Sequence, residues 1–188
     1  MKISGLNKSY GDNHIFEDFE LELSEGERIA IMGESGCGKT TLIRLILGLE
    51  KPDGGKITDV PGQVSVVFQE DRLMSDFSVY ENLSVVMSGD KVRDRIEQAL
   101  KAVGMAECMD MKVKELSGGM CRRVAILRAL LHESSLLVMD EPFKGLDENS
   151  LEKTISYVEK NIGDRSFILV THDEKEGSRL TDRILKLT

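Results

Sequence analysis

The spacing of apolar and polar positions changes period several times along the chain, and each change marks an element. Residues 2–6 and roughly 15–23 alternate, with Phe19, Leu21 and Leu23 two apart. This predicts antiparallel strands with one buried face, joined by a turn at Gly11-Asp12-Asn13. Arg28 to Met32 is a short apolar run of the buried-strand type, and Leu42 to Leu47 reads as a helix closed by Gly48. Asp53-Gly54-Gly55 predicts a tight turn leading into a strand at Lys56–Thr58. The β-branched run Val64–Phe68 predicts a central strand ending at Gln69.

From about Asp71 to Glu115 strand-like runs give way to helical stretches near Val79–Met87 and Lys91–Val103. Leu116-Ser117-Gly118-Gly119 then opens a helix with Val124, Ile126, Leu127, Leu130 and Leu131 as its apolar stripe. Residues 71–131 are therefore expected to form a helical subdomain inserted in a single domain spanning 1–188. Leu136 to Met139 is a fully apolar strand running into Asp140-Glu141. A helix at Asn149–Asn161 and strands at Phe167–Val170 and Arg183–Leu187 complete an α/β core with a mostly parallel sheet and N-terminal antiparallel strands.

Composition narrows the function. At 188 residues the chain suits one domain, and 25 Lys and Arg against 33 Asp and Glu leave a net charge of −8. That balance argues against nucleic acid as a partner, so any phosphate binding is local. No apolar run approaches bilayer length, and Met1 to Gly5 lacks the hydrophobic core of a signal peptide, so a cytoplasmic chain is expected. Cys37, Cys108 and Cys121 form an odd set without C-x-x-C spacing, which argues against a disulfide scaffold or a zinc site.

One segment carries specific chemistry. Gly33-Glu34-Ser35-Gly36-Cys37-Gly38-Lys39-Thr40-Thr41 fits G-x-x-x-x-G-K-[ST] between a predicted strand and a predicted helix. Glycines let successive N–H groups point at phosphate oxygens, and the helix adds its positive end. Lys39 is then expected to reach the β- and γ-phosphates and Thr40 to hold Mg²⁺, with Thr41 on nearby backbone or phosphate. The competing reading, a glycine-rich turn that only joins strand to helix, is disfavoured by the flanking pattern. Asp140 and Glu141, at the carboxyl end of an apolar strand, suit the Mg²⁺ shell and the polarisation of an attacking water. Tyr10, beside its turn, suits either a nucleobase platform or ordinary packing.

Five motifs in this order resemble the nucleotide-binding subunit of ABC transporters over practically the whole chain. They are the phosphate loop; Gln69 at a strand end, like the family's Q-loop glutamine; and Leu116-Ser117-Gly118-Gly119-Met120, similar to L-S-G-G-Q. Leu137 to Pro142 with Gly145-Leu146-Asp147, similar to the Walker B strand, catalytic glutamate and D-loop, and His172 in Val170-Thr171-His172-Asp173 follow. The resemblance implies a P-loop NTPase core and an ATP hydrolase. It implies that Tyr10 stacks on adenine, that Gly36, Gly38, Lys39, Thr40 and Thr41 hold phosphates, and that Gln69 and Asp140 serve Mg²⁺ and its waters. Glu141 would be the general base and His172 a γ-phosphate contact. Ser117, Gly118 and Gly119 would serve the nucleotide bound to a facing subunit, so a homodimer, or a pair with a similar cassette, is implied.

The partner so implied is a membrane permease, engaged through the helical subdomain and reached in turn by any substrate-binding protein, with the cassette peripheral on the inner face of the membrane. The alternative is a soluble ABC ATPase without a permease, acting on another macromolecule. A small-molecule P-loop kinase would explain Lys39 and Asp140 but not Leu116–Met120. Met120 departs from the signature glutamine, removing an amide. With 16 residues after His172, no appended regulatory domain is expected.

Overall fold

The computed structural model describes residues 1–187. Its centre is a five-stranded parallel sheet of β3 (Arg28–Met32), β5 (Val64–Val67), β6 (Leu136–Asp140), β7 (Ser166–Val170) and β8 (Arg183–Lys186), in the order β5-β6-β7-β3-β8. The apolar runs of β6 and β7 are explained by burial on both faces. Leu136, Val138, Ile168 and Val170 face one core with α1 (Lys39–Ile46), while Leu137, Met139, Phe167 and Leu169 face another with α5 (Glu148–Asn161). The first core is closed by a second, antiparallel sheet of β2 (Asn13–Glu22), β1 (Lys2–Tyr10) and β4 (Gly54–Thr58).

Three local expectations are corrected. Val64–Val67 is an edge strand, paired only with β6, because β6 and β7 take the middle. Gly54 and Gly55 lie inside β4 rather than in a turn. At Gly55 the backbone passes so close to β1 that a Cβ would sit 2.2 Å from the Gly5 carbonyl oxygen, at φ +77°, so the glycine answers a close approach. Strict alternation in β2 is broken at Asp18, whose φ is +50°, and Phe16 and Phe19, three apart, both reach the core with ring centroids 5.2 Å apart. One further helix, α6 (Glu174–Leu180), follows β7.

Residues 71–117 carry α2 (Val79–Ser84), α3 (Val92–Ala102) and two single 3₁₀ turns around a third apolar cluster. α2 opens with a capping box between Ser78 and Glu81. α4 (Gly118–Leu131) belongs to both halves: Val124 and Leu127 pack on the helical cluster, Ile126, Ala129 and Leu130 on the sheet. This explains why its apolar residues do not keep to one narrow stripe.

Candidate nucleotide-binding site

The loop 33–38 joins β3 to α1 at the carboxyl end of the parallel sheet, where open α/β folds bind ligands. Gly38 is the N-cap of α1 at φ +99°, and no side chain caps the helix, which leaves its first N–H groups for an anion. A Cβ at Gly38 would lie 2.4 Å from Ile15 Cγ2, so the antiparallel sheet presses the loop into its curl. Lys39, 8% exposed, donates from Nζ to the Gly33 and Glu34 carbonyls at 2.7 Å each. These acceptors aim the ammonium across the loop without neutralising it, and among the described residues no carboxylate forms an ion pair with it.

Thr40 Oγ1 donates to Asp140 Oδ2 at 3.0 Å, and Gln69 Nε2 lies 3.4 Å from Thr40 Oγ1 and 3.5 Å from Asp140 Oδ1. Asp140 is 1% exposed, and burial pushes its carboxyl above the ordinary aspartate value, against hydrogen bonds from Thr40 and Gln69. The Thr40 hydroxyl and Asp140 carboxylate suit a hard cation that keeps water and phosphate oxygens in its shell, while the Gln69 amide turns its nitrogen toward both.

Glu141 follows Asp140 with φ +46°, its N–H bonded to the Val170 carbonyl at 2.9 Å. Glu141 lines the same cavity as Lys39, Thr40 and Gln69. Ser35, Gly36, Gly38, Lys39, Thr40, Thr41, Gln69 and Glu141 line one cavity of about 280 Å³. A larger hollow of about 850 Å³ on the other side of the loop is lined by Gly33, Glu34, Ser35, Gly36 and Cys37 with His172, Glu174 and Lys186 among others. The larger space lacks Thr40, Gln69 and Glu141, which line the smaller one. His172 links the two, its Nδ1 3.9 Å from Glu141 Oε1.

Not every predicted residue converges. Tyr10 lines neither cavity; it is 46% exposed, donates its hydroxyl to Glu50 and has the Lys8 ammonium 5.2 Å from its ring centroid. Ser117, Gly118 and Gly119 also line neither. Ser117 caps α4 by accepting the Met120 N–H at 3.4 Å.

The structure adds residues that motif reading passed over. Lys144 Nζ is 3.2 Å from Glu141 Oε2. Glu176 accepts from Thr171 Oγ1, and the same oxygen accepts the Asp173 N–H at 3.1 Å, which together hold the loop bearing His172. The i, i+3 spacing of Glu141 and Lys144 was visible in sequence; the Thr171–Glu176 bond needed α6, which short length and Gly177 had hidden.

Residues 16–144 match the sequence pattern of the family described as ABC transporter. The chain is 41% identical, over its full length, to the aliphatic sulfonates import ATP-binding protein SsuB 3 of Rhodococcus jostii, of which it spans 70%. It is 35% identical, again over its full length, to the spermidine/putrescine import ATP-binding protein PotA of Haemophilus influenzae, of which it spans 55%. Among solved structures, the dimeric post-hydrolysis state of the ATP-binding cassette MJ0796 bound to ADP and Pi superposes with a TM-score of 0.84 at 28% identity, covering 100% of this chain and 94% of that one.

Proposed function

Because the chain belongs to the ABC transporter family, we propose that it is the ATP-binding, ATP-hydrolysing subunit of an importer that drives a separate membrane permease. The observation that carries this reading is the meeting of Lys39, Thr40, Gln69 and Glu141 around one cavity, with Asp140 hydrogen-bonded to Thr40. The import functions of the sulfonate and polyamine relatives support transport over a soluble, permease-free role.

In this reading the N–H groups at the start of α1 and the Lys39 ammonium hold the β- and γ-phosphates. Thr40, Asp140 and Gln69 would hold Mg²⁺, which would supply charge neutralisation on the phosphate oxygens. Glu141 accepts a proton from the water whose oxygen attacks the γ-phosphorus. The bond from that phosphorus to the bridging oxygen breaks, and ADP leaves with the electron pair. His172 contacts the γ-phosphate, and Tyr10 stacks on adenine once nucleotide is bound. Ser117, Gly118 and Gly119 complete the site of a second, facing cassette, so that ATP joins two cassettes and hydrolysis releases them. Residues 71–131 act as the helical subdomain that engages the permease, which would keep the chain on the inner face of the membrane. No helix among the described residues is long and apolar enough to cross a membrane itself.

Lys39→Ala tests the reading. The variant should lose turnover by about 10²–10³-fold, as expected when a site loses a donor aimed at developing charge. Phosphate release and nucleotide titration measure it, and unaltered hydrolysis would remove the loop from the mechanism.

A further inference from the structure

Two arginines of α4 are committed to a loop that belongs to the sheet. The Arg122 guanidinium donates to the Phe68 carbonyl at 2.6 Å and to the Gln69 carbonyl, and its Nε lies 3.2 Å from Asp71 Oδ1. Six residues on, Arg128 donates to the carbonyls of Asp71 at 3.3 Å and Arg72 at 2.9 Å. Arg72 in turn lies over the Phe68 ring, 3.7 Å from its centroid. The Arg122 side chain is only 11% exposed and that of Asp71 26%. Asp71 Oδ1 is buried and, although within ion-pair range of Arg122, makes no properly angled hydrogen bond. Burying guanidinium groups to hold loop carbonyls that water ordinarily serves is costly and calls for a return beyond loop closure.

The segment so held carries Gln69, whose amide lies 3.4–3.5 Å from Thr40 and Asp140. We propose that Arg122 is a positioning residue for Gln69: it fastens the loop 68–71 to α4, so that the amide serving the metal side of the site moves with the helix that begins at Ser117. The inference rests on the metal-side role of Gln69 proposed above. Its mechanical content is that a shift of α4, whatever causes it, is felt at Gln69 through the guanidinium.

Arg122→Gln keeps a donor and most of the aliphatic stem but cannot grip two carbonyls and a carboxylate together; Arg122→Lys restores the charge without the fork. In the nucleotide-free protein, backbone ¹⁵N order parameters of Gln69 to Asp71 should fall from about 0.85 to below about 0.6 in Arg122→Gln, with α1 unchanged and Arg122→Lys between. In ATPase assays the Mg²⁺ half-saturation concentration should rise about 10- to 100-fold, the loss typical when a ligand's supporting partner is removed. The doubly altered Arg122→Gln, Gln69→Ala chain should be no worse than Gln69→Ala alone. Unchanged order parameters, or losses that multiply in the double variant, would overturn the clamp. Absence of ATPase in the unaltered chain would instead fault the functional reading and leave the order parameters to decide the clamp. Should Arg122→Gln not fold, Arg122→Lys is read by the same two criteria.

Discussion

At the phosphate loop, Lys39 is held by two carbonyls, Thr40 by Asp140, and Gln69 stands within reach of both. At the N-terminus of α4, Ser117 accepts the amide of its own Met120, and the glycines beside it line neither of these two cavities. The first region is set before any ligand arrives, because its charges are aimed by bonds internal to the fold. The second offers a helix start with small residues set apart from both cavities. The difference teaches that the groups proposed for catalysis and the surface proposed to complete them are built separately, one by side chains locked against the sheet, the other by a capped helix start of small residues.

The contrast breaks first at Glu141. Glu141→Gln should leave ATP binding intact and slow hydrolysis by about 10²–10⁴-fold, because the amide still hydrogen-bonds water yet cannot take its proton. Phosphate release at saturating Mg²⁺ and ATP measures this, and normal turnover would remove Glu141 as the base.

A smaller effect sharpens how the finished side is held. Burial pushes the Glu176 carboxyl above the ordinary glutamate value, opposed by the Thr171 hydrogen bond, with Asp173 and Glu141 adding to the push and His172 opposing it. The folded state therefore binds this proton more tightly than the unfolded chain. The stability it contributes is fully present below the ordinary glutamate value and is lost as pH rises through the raised one. Glu176→Gln should melt higher than the unaltered chain at pH 8, on the order of 2 °C, with the difference shrinking as pH falls toward 4. Thermal melts across that range check it; a difference that grows on acidification would refute the sign.

How much of this was legible follows the physics of each signal. The strand Arg28–Met32, the loop after it and the start of α4 at Ser117 were readable because short motifs impose local backbone geometry. The double burial of β6 and β7 was readable from their unbroken apolar runs. The position of Val64–Val67 at the sheet edge was not, since residue pattern reports burial and says little of strand order. Gly54 and Gly55 looked like a turn because glycine serves turns and close backbone approach alike. The grip of Arg122 on the loop 68–71 was not legible, because its carbonyl partners lie 53 and 54 residues away, beyond any local pattern.

The central claim, that the N-terminal end of α4 meets nucleotide held by a second copy, is tested most directly by molar mass in solution. With Mg²⁺ and ATP, the Glu141→Gln chain of 21.0 kDa should run at twice its mass in size-exclusion chromatography with light scattering. Adding Ser117→Arg should return it to single mass while each chain still binds ATP, because the arginine fills the space that a facing γ-phosphate needs. A doubly altered Glu141→Gln, Ser117→Arg chain that still doubles its mass with ATP would contradict the shared site.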